Sequence, residues 1–180
     1  MGNRQVKTLD SAEIAEISFE TGFQPKQILR LYNRYLSLDR DKRGFLTRKN
    51  FLLIPELAIN PLGDRIVHEF FRESGEELSF INFLKKLAPF RKADSQNIHS
   101  SKEAKLRFLF GLYDLDNDSM ISRFELLGML QMLVGSNITE EQLASIGERT
   151  MAEVDLNNDG QISYEEFKTI FEGVDIESKM

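Results

Sequence analysis

The stretch DLNNDGQISYEE at residues 155–166 decides the fold. Asp155, Asn157 and Asp159 put side-chain oxygens at its first, third and fifth positions, and Gly160 stands sixth. Gln161 can offer its backbone carbonyl, Ser163 can serve directly or through water, and Glu166 can close the set with two oxygens. This is the D-x-[DN]-x-[DN]-G-x5-E spacing, matched without a departure. A hard cation such as calcium takes 6–8 oxygens at about 2.3–2.6 Å, and a twelve-residue loop can wrap round it. The glycine turns the chain through a left-handed conformation that penalises a β-carbon.

Apolar segments at about 140–154 and 163–173 flank that loop with helical periodicity. The same unit recurs three times upstream, and an internal repeat of this kind fixes the architecture. The third loop, DLDNDSMISRFE (114–125), supplies Asp114, Asp116, Asp118, the Met120 carbonyl and Glu125, between helices near 101–113 and 122–134. Ser119 stands where glycine belongs, at roughly 1–2 kcal/mol of backbone strain. Four carboxylates around one cation should outweigh that, so both loops are expected to bind calcium, with Mg²⁺ as a competitor.

The first two loops have lost their ligands. DRDKRGFLTRKN (39–50), between helices near 25–38 and 47–57, keeps Asp39, Asp41 and Gly44 but has Arg43 at a ligand position and Asn50 at the close. RESGEELSFIN (72–82), between about 61–71 and 79–88, begins with Arg72, is one residue short and ends in Asn82. A guanidinium repels a dication, and an amide cannot chelate as a carboxylate does. The eighth positions nonetheless stay apolar throughout, as Leu46, Leu78, Ile121 and Ile162. Such residues suit antiparallel pairing between adjacent loops, so the first pair reads as a scaffold retained without its metal.

Capping chemistry marks the helix ends. Asp10 with Glu13, Ser100 with Glu103, and Thr139 with Gln142 have capping-box spacing, as do Ser122 with Glu125 and Ser163 with Glu166 inside the loops. Asn60 before Pro61 reads as a helix start, and Gly22 and Gly135 as helix stops. Pro89 ends a helix, and 89–100 reads as a linker. The expectation is an all-α, two-lobed protein: an N-terminal segment with a short helix (1–24), a non-binding pair (25–88), the linker, a calcium-binding pair (101–174) and a tail (175–180).

Composition agrees. The 180-residue chain has no cysteine and two histidines, His68 and His99, which leaves no disulfide and little prospect of zinc or a His-based catalytic dyad. Loop carboxylates consumed by coordination leave no base or nucleophile for an enzyme. No apolar stretch approaches the ~18 residues of a membrane span, and charges run through residues 1–30, so a soluble cytoplasmic protein is expected. Of a net charge of −6, residues 1–91 carry 15 Lys and Arg against 12 Asp and Glu, and residues 92–180 carry 8 against 17. The acidic half repels nucleic acid and attracts cations.

One helix is apolar on nearly every side: FELLGMLQMLV, Phe124 to Val134. Leu126, Met129, Leu130, Met132 and Leu133 are either wholly internal or partly exposed in a groove that takes an amphipathic target helix. Phe70, Phe83 and Leu87 give the N-terminal half a matching surplus, beside Phe71, Phe80 and Leu84.

With these residues in view, ETGFQPKQILRLYNRY (20–35), IPELAINPLGDRI (54–66), LYDLDND (112–118) and GVDIESKM (173–180) resemble the calcineurin B branch of EF-hand proteins, especially the calcineurin B homologous proteins. The resemblance implies two calcium ions in the C-terminal half. It also implies a noncatalytic adaptor that holds a cytoplasmic helix of a plasma-membrane sodium/proton exchanger and supports its stability and activity. The alternatives are the regulatory subunit of the phosphatase calcineurin and a calcium buffer without targets. N-myristoylation is frequent in the family. Gly2 is the candidate, although Val6 stands where the pattern takes Ser or Thr. An acyl chain there would add peripheral membrane contact.

Overall fold

A computed structural model describes residues 9–91 and 102–171. Gly2, Ser100 and most of the expected linker and tail lie outside the described residues. The described chain runs α1 (Ser11–Thr21), α2 (Pro25–Leu38), α3 (Arg48–Leu52), α4 (Pro55–Ala58), α5 (Gly63–Phe71), α6 (Phe80–Leu87), α7 (Lys102–Tyr113), β1 (Met120–Ser122), α8 (Arg123–Val134), α9 (Glu140–Val154), β2 (Gln161–Ser163) and α10 (Tyr164–Ile170). No helix among the described residues is long and apolar enough to cross a membrane.

The caps explain most of these boundaries. Asp10 and Glu13 bond reciprocally at the start of α1, and Gly22 ends that helix at φ 69° with its N–H on the Ser18 carbonyl. Thr139 and Gln142 do the same for α9. Two expectations fail. The helix expected over 47–57 breaks after Leu52 into α3 and α4, because Pro55 cannot donate the N–H that would continue it. The helix expected from Pro61 starts at Gly63: Asn60 Oδ1 accepts the Leu62 N–H at 2.8 Å and spends the cap on a turn. Past α6, Pro89 sits in a 3-10 turn over Ala88–Phe90.

Loops pair through their eighth residues. Ile121 lies opposite Ile162 at the centre of the β1–β2 ribbon, and Leu46 opposite Leu78 in an isolated bridge with N···O distances of 3.0 and 2.8 Å. All four side chains are at most 2% exposed. Above each pair sits a separate core. One gathers Tyr35, Phe51, Phe70, Phe71 and Phe83, and the other Leu106, Phe110, Met151 and Phe167. α7 belongs to both: Phe108 meets Phe70 and Phe90 edge-on, while Phe110 packs on Tyr164 and Phe167. Arg65 of α5 reinforces the junction, donating from Nη1 to the Leu112 and Tyr113 carbonyls at 3.3 and 3.4 Å.

Candidate metal centre

α9 delivers Asp155 into the fourth loop, and β2 and α10 return Glu166 to it. Asp155 accepts the N–H groups of Asp159 and Gly160 at 3.2 and 2.8 Å, which curls the loop inward. Asn157 Oδ1 accepts the Asp159 N–H at 2.8 Å, and Asp159 Oδ1 the Gln161 N–H at 2.9 Å. Glu166 Oε1 takes the Leu156 N–H at 2.9 Å, while Oε2 takes the Ser163 hydroxyl and N–H at 2.7 and 2.8 Å. These bonds, the Ser163 hydroxyl foremost, hold the Glu166 carboxyl below the usual carboxylate range. The closing residue is thus an anion whose orientation is fixed by the helix it caps.

The third loop repeats the plan with more charge. Carboxylate oxygens of Asp114, Asp116 and Asp118 lie within 4.8 Å of one another. Glu125 reaches from α8 to the Leu115 N–H at 2.8 Å and to the Ser122 N–H and hydroxyl at 2.9 and 2.7 Å. Burial pushes the Glu125 carboxyl up, but the bonds from Ser122, Leu115 and Asp116 outweigh it and leave it ionised below the usual range. The fourth and sixth residues are left-handed in both loops: Asn117 and Ser119 at φ 67° and 69°, Asn158 and Gly160 at 58° and 84°. Ser119 therefore adopts the glycine's conformation and bears its strain.

The donor set suits a hard divalent cation. Every offered ligand is an oxygen, and Asp114 Oδ1 is buried without a hydrogen-bond partner, an orphan that coordination would satisfy. Of the expected residues, the structure clusters the carboxylates of Asp114, Asp116 and Asp118, and in the fourth loop it ties Asp155, Asn157, Asp159 and Glu166 to backbone N–H groups of the same loop.

The degenerate loops satisfy themselves. Asp39 accepts the Arg43 and Gly44 N–H groups at 3.0 and 2.7 Å, and the Arg43 guanidinium rests on Asp41 at 2.7 Å. Asn50 donates to the Leu38 carbonyl at 3.1 Å where Glu125 and Glu166 accept from their loops. Asn82 bonds Ser74.

The groove expectation is corrected in part. Phe70, Phe83, Leu126 and Met129 are 6%, 6%, 5% and 1% exposed and belong to the interior. Leu87 and Leu130 pack partly buried against the two cores. Met132 and Leu133 are 38% and 50% exposed, and Leu52 and Leu53, which sequence reasoning passed over, are 42% and 50%. The periodicity of α8 cannot tell these faces apart, since both are apolar. Near Leu52 a shallow cavity of about 310 Å³ is bounded by Arg48, Arg65, Val67, His68 and Leu115, joining elements of both halves. Sequence reasoning also missed that Arg72 reaches the third loop, where its Nη2 lies 2.6 Å from Asp114 Oδ2. Forty-two positions separate them, and no local pattern signals the contact.

Comparison with known proteins gives the family context. The model of the EF-hand domain pair family matches residues 103–172. A calcineurin B protein of Naegleria gruberi is 38% identical over 173 residues, 96% of this chain and 94% of its own length. A calcineurin B protein of Schizosaccharomyces pombe is 38% identical over 160 residues, 89% of this chain and 88% of its own. A type 1 calcineurin B protein of Dictyostelium discoideum is 38% identical over 167 residues, 93% and 89% respectively.

Proposed function

The chain belongs to the calcineurin B family of calcium-binding, non-catalytic EF-hand regulatory proteins, and on that footing we propose that it is the regulatory subunit of a calcineurin-type phosphatase. Two calcium ions would be held, one by Asp114, Asp116, Asp118, the Met120 carbonyl and Glu125, the other by Asp155, Asn157, Asp159, the Gln161 carbonyl and Glu166. The observation that supports the reading is the carboxylate cluster of Asp114, Asp116 and Asp118, set beside the fourth loop by the Ile121–Ile162 pairing. A bound calcium ion supplies a charge centre that draws the loop oxygens inward. The protein's own contribution is a closing glutamate in each loop that also caps the exiting helix. A pull on Glu125 is therefore a pull on α8, and α8 carries Met132 and Leu133 at its far end.

Those residues, with Leu52 and Leu53, support an amphipathic helix as the partner, because exposed leucine and methionine side chains suit the apolar face of such a helix. The relatives' names favour a helix of a phosphatase catalytic subunit over that of a sodium/proton exchanger, which stays in the proposal as the competing ligand. Plasma-membrane association through Gly2 acylation or the partner belongs to the same proposal.

Fluorescence anisotropy with a labelled helix from each candidate partner tests it. The phosphatase helix is expected to bind more tightly in calcium than in chelator, and Leu52→Asp with Leu133→Asp to weaken it without changing calcium stoichiometry. Preference for the exchanger helix would reverse the order of partners. Binding of neither would leave a calcium buffer.

A further inference from the structure

Asp114 opens the third loop and is 1% exposed. In the first and fourth loops the equivalent carboxylate is closed by backbone. Asp39 accepts from Arg43 and Gly44, and Asp155 from Asp159 and Gly160. In the third loop Asp114 Oδ2 instead accepts from Arg72 Nη2 at 2.6 Å, and Oδ1 is the buried orphan. Arg72 comes from the C-terminal end of α5, where it also donates to Glu69 Oε2 at 3.2 Å. Glu69 is held in turn by Lys86 at 3.1 Å. Gly111 makes room for this cluster against α7, since a β-carbon there would collide with the Glu69 carboxylate and stand 2.7 Å from Arg72 Nη1.

We propose that Arg72 is a tethered cation that competes with the divalent ion for Asp114, so that the N-terminal half sets the calcium affinity of the third loop. The inference rests on the reading of that loop as a calcium site. Two effects act in the same direction. The guanidinium repels a second cation drawn to the same carboxylate, and the buried carboxylate has a partner that the incoming ion must displace or share. Even at the dielectric of bulk water, a unit charge about 6 Å from a dication weakens its binding about tenfold. The third loop, although richer in carboxylates, is thereby the weaker and more adjustable site. The fourth loop, whose Asp155 meets only backbone, is the tighter one. Loss of ligands in the second loop then has a positive use: its first position sends a charge across to its neighbour.

Calorimetric titration of Ca²⁺ into the full chain tests this with wild type, Arg72→Gln, Arg72→Lys, Glu125→Gln and the Arg72→Gln/Glu125→Gln double variant. Arg72→Gln is expected to tighten, by about tenfold or more, the site that Glu125→Gln removes. It should leave the other site unchanged, which also reports that the variant is folded. Arg72→Lys keeps the charge but loses the fork that holds Glu69 and Asp114 together, so its affinity should fall between those of wild type and Arg72→Gln. An Arg72→Gln protein whose Glu125-dependent site is unchanged or weaker overturns the proposal while sparing the third loop as a calcium site. If Glu125→Gln removes no site, the reading of the loop fails and takes the proposal with it. Wild type supplies a readout that needs no variant: the Arg72 Nε–H resonance must move as the Glu125-dependent site fills. A stationary resonance overturns the competition.

Discussion

Leu46 and Leu78 exchange backbone hydrogen bonds between two loops without ligand sets, as Ile121 and Ile162 do between two loops that retain them. The pairing thus does not depend on a full set of oxygen side chains in the loops it joins. Leu78 is fully buried, and Leu78→Ala should destabilise the protein by about 2–5 kcal/mol. Chemical denaturation measures the loss, and calcium stoichiometry in the folded variant should not change.

Glu125→Gln and Glu166→Gln each replace the carboxylate that closes a loop by a neutral amide. Each should weaken one calcium site by about two orders of magnitude and leave the other, as read by calorimetry. The retained glutamine can still accept the Ser122 or Ser163 bonds, so the exiting helices should persist in circular dichroism.

Ser119 holds φ 69° without being glycine. Ser119→Gly relieves that strain and should stabilise the protein by about 1 kcal/mol, seen as a higher melting temperature. The same change at Ser163, whose φ is −71° and whose hydroxyl caps α10, should instead destabilise it.

Stability should fall on mild acidification. Burial holds the His68 imidazole below its usual value of about 6.5, and Arg48, Arg72 and Arg65 add repulsion that Glu69 only partly offsets. The unfolded chain therefore binds the proton more readily. Stability drops as pH falls through the ordinary imidazole range and goes on dropping to the lower folded-state value. In denaturation at pH 7.5 and 5.5, His68→Gln should show a smaller difference than wild type.

The loops and most helix starts are legible in the sequence because they depend on local spacing: Asp155 to Glu166 is one loop, and Thr139 to Gln142 one turn. Pairing of Leu46 with Leu78 is legible for the same reason, as a fixed position in a repeated unit. The break at Leu52 escapes a reading that weighs apolar periodicity above Pro55. The groove is misjudged where two apolar faces compete: Met129 and Leu133 share a helix and a chemistry, and only packing makes one 1% and the other 50% exposed. Arg72 shows in the sequence only what it denies its own loop, since its reach to Asp114 depends on how α5 lies on α7.

α7 sends Phe108 into one interior and Phe110 into the other, and its last residue, Tyr113, is bonded directly to Asp114. The opening residue of the third loop thus hangs on a rod anchored by aromatic rings at two separate places. Any displacement of Asp114 along that rod would have to be shared by both interiors, so a change at the C-terminal loops would not stay confined to the C-terminal half.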